Sequence, residues 1–140
     1  MGGRNHVVNE EKYKVLEGEH FREHPIYEGY FVSNMGRVRL PKSNFSKKYP
    51  GRISMGSRIR RNGNKEVYEH VIHIRCKKKE YTRKIHRLVA EAWFPLPTET
   101  GLVVDHIDGN PENNHVSNLR WMDVCENVRQ GHLRRKINKK

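Results

Sequence analysis

The stretch Val103-Val104-Asp105-His106-Ile107-Asp108-Gly109-Asn110 decides how this chain folds. Leu102 to Val104 is a short apolar run of strand character. An aspartate and a histidine stand side by side at its end, and a loop from Ile107 to Val116 follows. Pro111 cannot join a sheet ladder, and Gly109, Asn110, Asn113 and Asn114 suit tight turns. Ser117 to Trp121 reads as the return strand. Asp123-Val124-Cys125-Glu126 then has the form of a capping box, with Asp123 as N-cap and Glu126 at N3. A helix therefore starts near Val124 and carries Asn127 in its first turn. The order is strand, loop, strand, helix.

The residue types in that frame point to chemistry. Neighbours in an extended chain face opposite sides, so Asp105 can face a cation while His106 faces a water. An anionic oxygen suits a hard divalent ion. An imidazole with an unperturbed pKa of ~6.5 is largely neutral near pH 7 and suits a general base. Asn127 can add a second, neutral oxygen. The bland alternative is an asparagine-rich hairpin with no metal. Asp108 reads first as an Asx-turn residue, Asn114 and His115 as loop structure, and Trp121 as packing between strand and helix. Arg120, on the return strand, could reach a phosphate or simply be a surface arginine.

Upstream, His86 to Phe94 changes period. Leu88, Val89, Ala92 and Trp93 fall on one face of a short helix, which Pro95 and Pro97 stop. His86 reads as a cap or core histidine. Val67 to Cys76 is a strand with Tyr68, His70, Ile72, Ile74 and Cys76 on one face. Lys77-Lys78-Lys79-Glu80 turns the chain, and Tyr81 to Ile85 pairs back. Residues 41–65 form a basic loop with a short strand near Ile53 or Ile59. Ile26 to Leu40 reads as a hairpin turning at Ser33-Asn34-Met35-Gly36, after which Arg37 and Arg39 share one face.

Charge is segregated along the 140 residues, whose formal net charge is +12. Residues 41–87 hold fifteen Lys/Arg against three Asp/Glu, residues 88–127 one against seven, and residues 128–140 six against none. A polyanionic partner is implied, most simply nucleic acid. A plain binder has no need to gather its carboxylates between two basic blocks, whereas a metal-dependent nuclease does. No apolar run approaches a membrane span or a signal segment. Cys76 and Cys125 form no C-x-x-C pair, so reduced thiols in a cytoplasmic setting are expected, with no structural zinc.

Two resemblances follow from these residues. Tyr27-Glu28-Gly29-Tyr30-Phe31-Val32-Ser33-Asn34-Met35-Gly36-Arg37-Val38-Arg39 resembles a nuclease-associated modular DNA-binding domain, with Phe21 nearest the place where that module usually has a tryptophan. Asp105-His106, Asp108-Gly109-Asn110, Asn113-Asn114, Asn118-Leu119-Arg120-Trp121 and Asn127, in that order, resemble the HNH endonuclease family. Asn127 stands where many members have a histidine, as in the homing branch found in phages and introns.

The resemblance implies an α+β chain: an N-terminal antiparallel β module over residues 1–85, then a ββα-metal unit with a basic tail over 86–140. It implies a metal-dependent, sequence-selective DNA endonuclease of the homing type, acting in a phage-infected or bacterial cell. His106 would be the base, and Asn118 would orient it or brace the loop. Asp105 and Asn127 would hold Mg²⁺ or Mn²⁺. Arg37, Arg39, Arg58, Arg60, Arg61, Lys77, Lys78, Lys79, Arg120, Arg134 and Arg135 would contact DNA. One such unit cuts one strand, so a double-strand cut would need a homodimer or two successive events. Two other readings stay open: a DNA-binding protein that does not cut, and a nonspecific nuclease.

Overall fold

The computed structural model describes residues 10–42, 51–61 and 66–129. The basic tail, with Arg134 and Arg135, lies outside them. Three small antiparallel sheets surround one helix. The first has the order β1 (Phe21–Glu23), β2 (Phe31–Ser33), β3 (Val38–Arg39), β4 (Ile53–Ser54). The second is β5 (Ser57–Arg60), β6 (Tyr68–Cys76), β7 (Lys79–Lys84). The third is the hairpin β8 (Leu102–His106) and β9 (Leu119–Asp123). Residues 124–129 are helical and are called α2 here.

Helix α1 (Ile85–Trp93) is the hub. It touches β1 and β2 of the first sheet, β6 and β7 of the second, and both strands of the third. Its buried residues are Ile85, Leu88, Val89 and Ala90, the spacing of a single helical face. They join Tyr27, Tyr30, Val32, Val38, Ile72, Ile74, Val104 and Leu119 in one core cluster. Each fully buried branched side chain there is worth roughly 1.5–3 kcal/mol of apolar burial. The Trp93 indole donates to Val32 O at 2.9 Å, fixing the helix's last turn on β2. Phe94 N–H closes on Ala90 O at 2.9 Å, and Pro95 ends the run.

Several elements differ from the sequence reading, for physical reasons. β8 runs through Asp105 and His106 rather than stopping at Val104, because both pair in register, Asp105 opposite Arg120 and His106 opposite Leu119. The return strand starts at Leu119, since Val116–Asn118 forms a 3-10 turn capped by the His115 ring. β1 was not foreseen; Phe21-Arg22-Glu23 is too short to show alternation and is held by pairing with β2. Short strands form at both Ile53 and Ile59. Lys77 and Lys78 make the hairpin turn with φ of 50° and 64°. Two successive positive values are the geometry of a type I′ turn, which suits the twist of the flanking strands.

Candidate active site

β8 delivers Asp105 and His106 as its last two residues, and both are buried. Helix α2 delivers Asn127. Its N-terminus is set by the Asp123 carboxylate, which accepts from Cys125 N–H at 2.8 Å and from Glu126 N–H at 3.4 Å. That cap turns Asn127 toward β8, where its Nδ2 donates to Asp105 Oδ1 at 2.8 Å. From the facing strand, Arg120 Nε donates to Asp105 Oδ2 at 3.0 Å. One carboxylate thus has a side-chain amide on one oxygen and a guanidinium on the other.

His106 is gripped from two sides. Its Nε2 lies 2.9 Å from Asn114 Oδ1. Its ring meets the His86 ring edge-on, with centroids 4.9 Å apart. An amide oxygen accepts, so this bond keeps the proton of neutral His106 on Nε2 and makes Nδ1 the basic nitrogen. Burial lowers the His106 pKa below its ordinary value, and Arg61 lowers it further; the bond to Asn114 and the charges of Asp108 and Asp105 oppose them. His86 is pushed down to about 3, chiefly by burial and then by His106, Lys84, Arg61 and Arg87. Two imidazoles at this distance amid that much positive charge stay neutral at pH 7.

The loop between the strands is held by its own polar side chains. Asp108 Oδ1 accepts from Asn110 N–H at 2.8 Å, an Asx turn. Asn118 is expected to orient His106 or brace the loop, and its side chain does the second. Nδ2 donates to Asp108 Oδ1 and to Asn113 O, both at 2.9 Å, and Oδ1 accepts from Asp108 N–H at 3.0 Å. Asn114, read from sequence as loop structure, is the residue that meets His106. The sequence signal for it is weak: one asparagine among four in the loop and its flanks.

A cleft of about 650 Å³ opens beside the site, lined by His86, Asn127, Val104, Arg61, Arg83, Lys84 and Arg87 among others. Four of these are cations. Arg61 is one of the expected DNA-contacting residues. Nothing local in the sequence marks Arg83, Lys84 and Arg87, which belong to a strand and a helix start rather than to a basic loop. Arg87 lies over the Trp121 ring, 5.0 Å from its centroid, and Trp121 packs against the core cluster.

The other expected DNA contacts fall into two kinds. Arg37 does not offer a guanidinium to a ligand. Both ends of it are taken by the buried Glu19 carboxylate, with Nε to Oε2 at 2.8 Å, and Nη2 also donates to Lys14 O at 2.8 Å. These bonds tie Arg37 into the first sheet. Arg58 is partly engaged, bidentate on Glu112 at 2.7 and 3.2 Å and stacked 3.6 Å over Tyr68. Arg39 lies 4.5 Å over the Phe21 ring. Arg60, Arg61, Lys77, Lys78 and Lys79 are exposed.

Comparison with known proteins fits this geometry. Residues 83–129 match the model of the HNH endonuclease family. Over that stretch the chain is similar to the HNH endonucleases. It is 38% identical over 113 residues to DNA endonuclease I-HmuI of Bacillus phage SP01, a match spanning 80% of this chain and 57% of that protein. It is 34% identical over 115 residues to HNH endonuclease L247 of Acanthamoeba polyphaga mimivirus, covering 80% of this chain and 26% of that one. A solved structure describing DNA binding and cleavage by the HNH homing endonuclease I-HmuI superposes with a TM-score of 0.63 at 35% identity, covering 82% of this chain and 59% of that one. The chain thus spans less than two thirds of the length of these relatives. The matched stretch begins within β7 and so takes in α1, His86, β8, β9 and residues 124–129 of α2. No helix among the described residues is long and apolar enough to cross a membrane.

The residues present fit a divalent cation. Among the described residues no three His, Cys, Asp or Glu side chains gather into a cage. Asp105 and Asn127 instead stand side by side, Asn127 Nδ2 donating to Asp105 Oδ1 at 2.8 Å, so that the pair would offer a carboxylate and, with the amide turned over, its neutral oxygen. That is a hard, sparse donor set of the kind Mg²⁺ accepts while keeping sites for water and phosphate.

Proposed function

We propose that this chain is a metal-dependent, sequence-selective DNA endonuclease of the homing type, hydrolysing one phosphodiester bond per site with one divalent ion. The observation that carries the reading is the convergence at the end of β8. Asp105 is joined by Asn127 of α2 at 2.8 Å, and His106, the next residue, presents a neutral imidazole of fixed tautomer. Asp105 and Asn127 would hold Mg²⁺ or Mn²⁺, and the ion would offset negative charge on the scissile phosphate and the leaving 3′ oxygen. His106 Nδ1 accepts the proton of the attacking water, and the resulting imidazolium is held by Asn114 at Nε2. Arg120 keeps the Asp105 carboxylate in one orientation. Asn118 keeps the loop closed over the base.

On this reading residues 1–85 grip double-stranded DNA and residues 86–140 cut it. Backbone affinity comes from Arg39, Arg58, Arg60, Arg61 and Lys77 to Lys79, with Arg83, Lys84 and Arg87 lining the cleft that leads to His86 and Asn127. A single unit nicks, and a double-strand break takes a homodimer or a second event. The host compartment is the cytoplasm of a phage-infected or bacterial cell.

A supercoiled plasmid carrying the target site tests this. Wild-type protein with Mg²⁺ converts it to open circle, and EDTA or His106→Ala stops the conversion while DNA binding persists. Binding without any conversion would support a protein that recognises DNA but does not cut. Equal degradation of a plasmid lacking the site would support a nonspecific nuclease.

A further inference from the structure

We propose that the β2–β3 turn of the N-terminal module aims the catalytic histidine through Asn114, so that Asn114 and Gly36 are positioning residues for cleavage. The proposal rests on the endonuclease reading above and adds a task for the module beyond gripping DNA. The turn Ser33-Asn34-Met35-Gly36 meets the active-site loop backbone to backbone. Gly36 has φ of 80°, and a Cβ placed on it would stand 2.7 Å from Asn114 Cβ and 3.0 Å from Asn114 O. Only glycine allows that approach. Two residues further along the loop, Val116 N–H donates to Asn34 O at 2.8 Å. The loop at 114–116 is therefore laid against this turn.

The turn is itself stiff. Asn34 N–H donates to His20 O at 3.1 Å, its Oδ1 accepts from His20 N–H at 2.8 Å, and its Nδ2 donates to Gly18 O at 3.1 Å. Ser33 Oγ accepts from Met35 and Arg37 N–H at 3.0 and 3.2 Å. The ion pair of Arg37 with buried Glu19 ties the far side. The loop's own staples bind elsewhere, since Asp108, Asn113 and Asn118 spend their side chains on one another and on local backbone. Asn114 is buried, and its amide oxygen lies on His106 Nε2. A second tether reaches the same loop from the second sheet, where Arg58 and His70 both bind Glu112. The module thus holds the acceptor that fixes which nitrogen of His106 is basic.

The test uses the full chain with ¹⁵N-labelled histidine. Imidazole nitrogen shifts at pH 8 report the His106 tautomer, and nicking kinetics report kcat and KM separately. Wild type shows His106 with its proton on Nε2. Asn114→Ala shows a mixed tautomer and loses about tenfold or more in kcat, with KM within about twofold. Asn114→Asp, which keeps an acceptor, restores the Nε2–H form. Gly36→Ala shows the same split in kcat and KM as Asn114→Ala. Circular dichroism identifies any variant that fails to fold, and the Asn114 pair decides the matter if Gly36→Ala does.

An unchanged Nε2–H tautomer in folded Asn114→Ala overturns the proposal. So does a Gly36→Ala protein whose KM rises while kcat stays level, which would make the turn a DNA-reading element only. If wild type shows the expected tautomer and its loss in Asn114→Ala but cuts no DNA, the endonuclease reading fails and the positioning contact stands.

Discussion

Helix α1 and the loop 107–116 meet at one pair of histidines and are held by different physics. α1 supplies His86 and is fixed by apolar burial, with Ile85, Leu88, Val89 and Ala90 facing all three sheets. The loop follows His106 and contributes almost nothing to the core. It is fixed by hydrogen bonds among Asp108, Asn110, Asn113 and Asn118, and by tethers from Asn34, Arg58 and His70. Apolar burial is strong and loosely directional, whereas side-chain hydrogen bonds are individually modest and strict in geometry. On the proposed function, stability rests in the first and reactive alignment in the second. Substitutions on the two sides should therefore separate folding from cleavage.

The largest separation is expected at His106. His106→Ala should lower kcat by roughly 10²–10⁴-fold while leaving the melting temperature near that of wild type, as read by nicking assays and thermal circular dichroism. A matching loss of stability would show that the loop is part of the folding core. On the other side, Leu88→Ala removes a fully buried side chain at the centre of α1. It should cost about 2–5 kcal/mol in urea unfolding, with the protein that remains folded still cutting.

Asn118→Ala lies between the two regions. It takes the side-chain acceptor from Asp108 N–H and the side-chain donor from Asn113 O, and leaves Asp108 Oδ1 only the Asn110 N–H, which should cost about 1–3 kcal/mol. It should also lower activity, since the loop that carries Asn114 loosens. Protection of Asp108 and Ile107 amides from hydrogen exchange would report the loosening directly.

Acid gives a graded effect whose sign is fixed by His86. Its folded pKa of about 3 lies below the unfolded value. The unfolded chain therefore binds the extra proton between the two values, and stability falls as pH drops from about 6.5 toward 3, by at most ~1.4 kcal/mol per pH unit. Above pH 6.5 the group contributes no slope. His86→Phe should flatten this part of the stability profile. The same environment lowers the His106 pKa, so the acid limb of the cleavage profile should lie below pH 6.5 rather than at it. The smallest effect is expected at the hairpin tip. Lys78→Gln should reduce the slope of log affinity against log salt by about 0.9 and leave kcat unchanged.

Much of this arrangement was legible in the sequence because its signals are local. The strand–loop–strand–helix order followed from the apolar run before Asp105, the turn residues after it and the Asp123 cap. The Asx turn at Asp108 and the apolar face of α1 were equally local. What the sequence hid depends on partners far along the chain. Arg37 looked like a DNA contact because Glu19, 18 residues away, is invisible as its partner until the first sheet forms. Asn114 could not be told from its neighbours until Gly36, on another sheet, came against it. The basic cleft is hidden in the sequence because Arg61, just past β5, Lys84 of β7 and Arg87 of α1 meet only in the fold.

The division of labour between Asp105 and His106 is the centre of this account. The most direct measurement is single-turnover cleavage of target DNA as a function of Mn²⁺ concentration, for wild type, Asp105→Ala and His106→Ala. The account predicts that His106→Ala lowers the plateau rate and leaves the half-maximal Mn²⁺ concentration unchanged, while Asp105→Ala needs far more Mn²⁺ or fails at every concentration. Cleavage by wild type that is indifferent to Mn²⁺ and EDTA, or a shifted Mn²⁺ requirement in His106→Ala with an unaltered plateau, would contradict it.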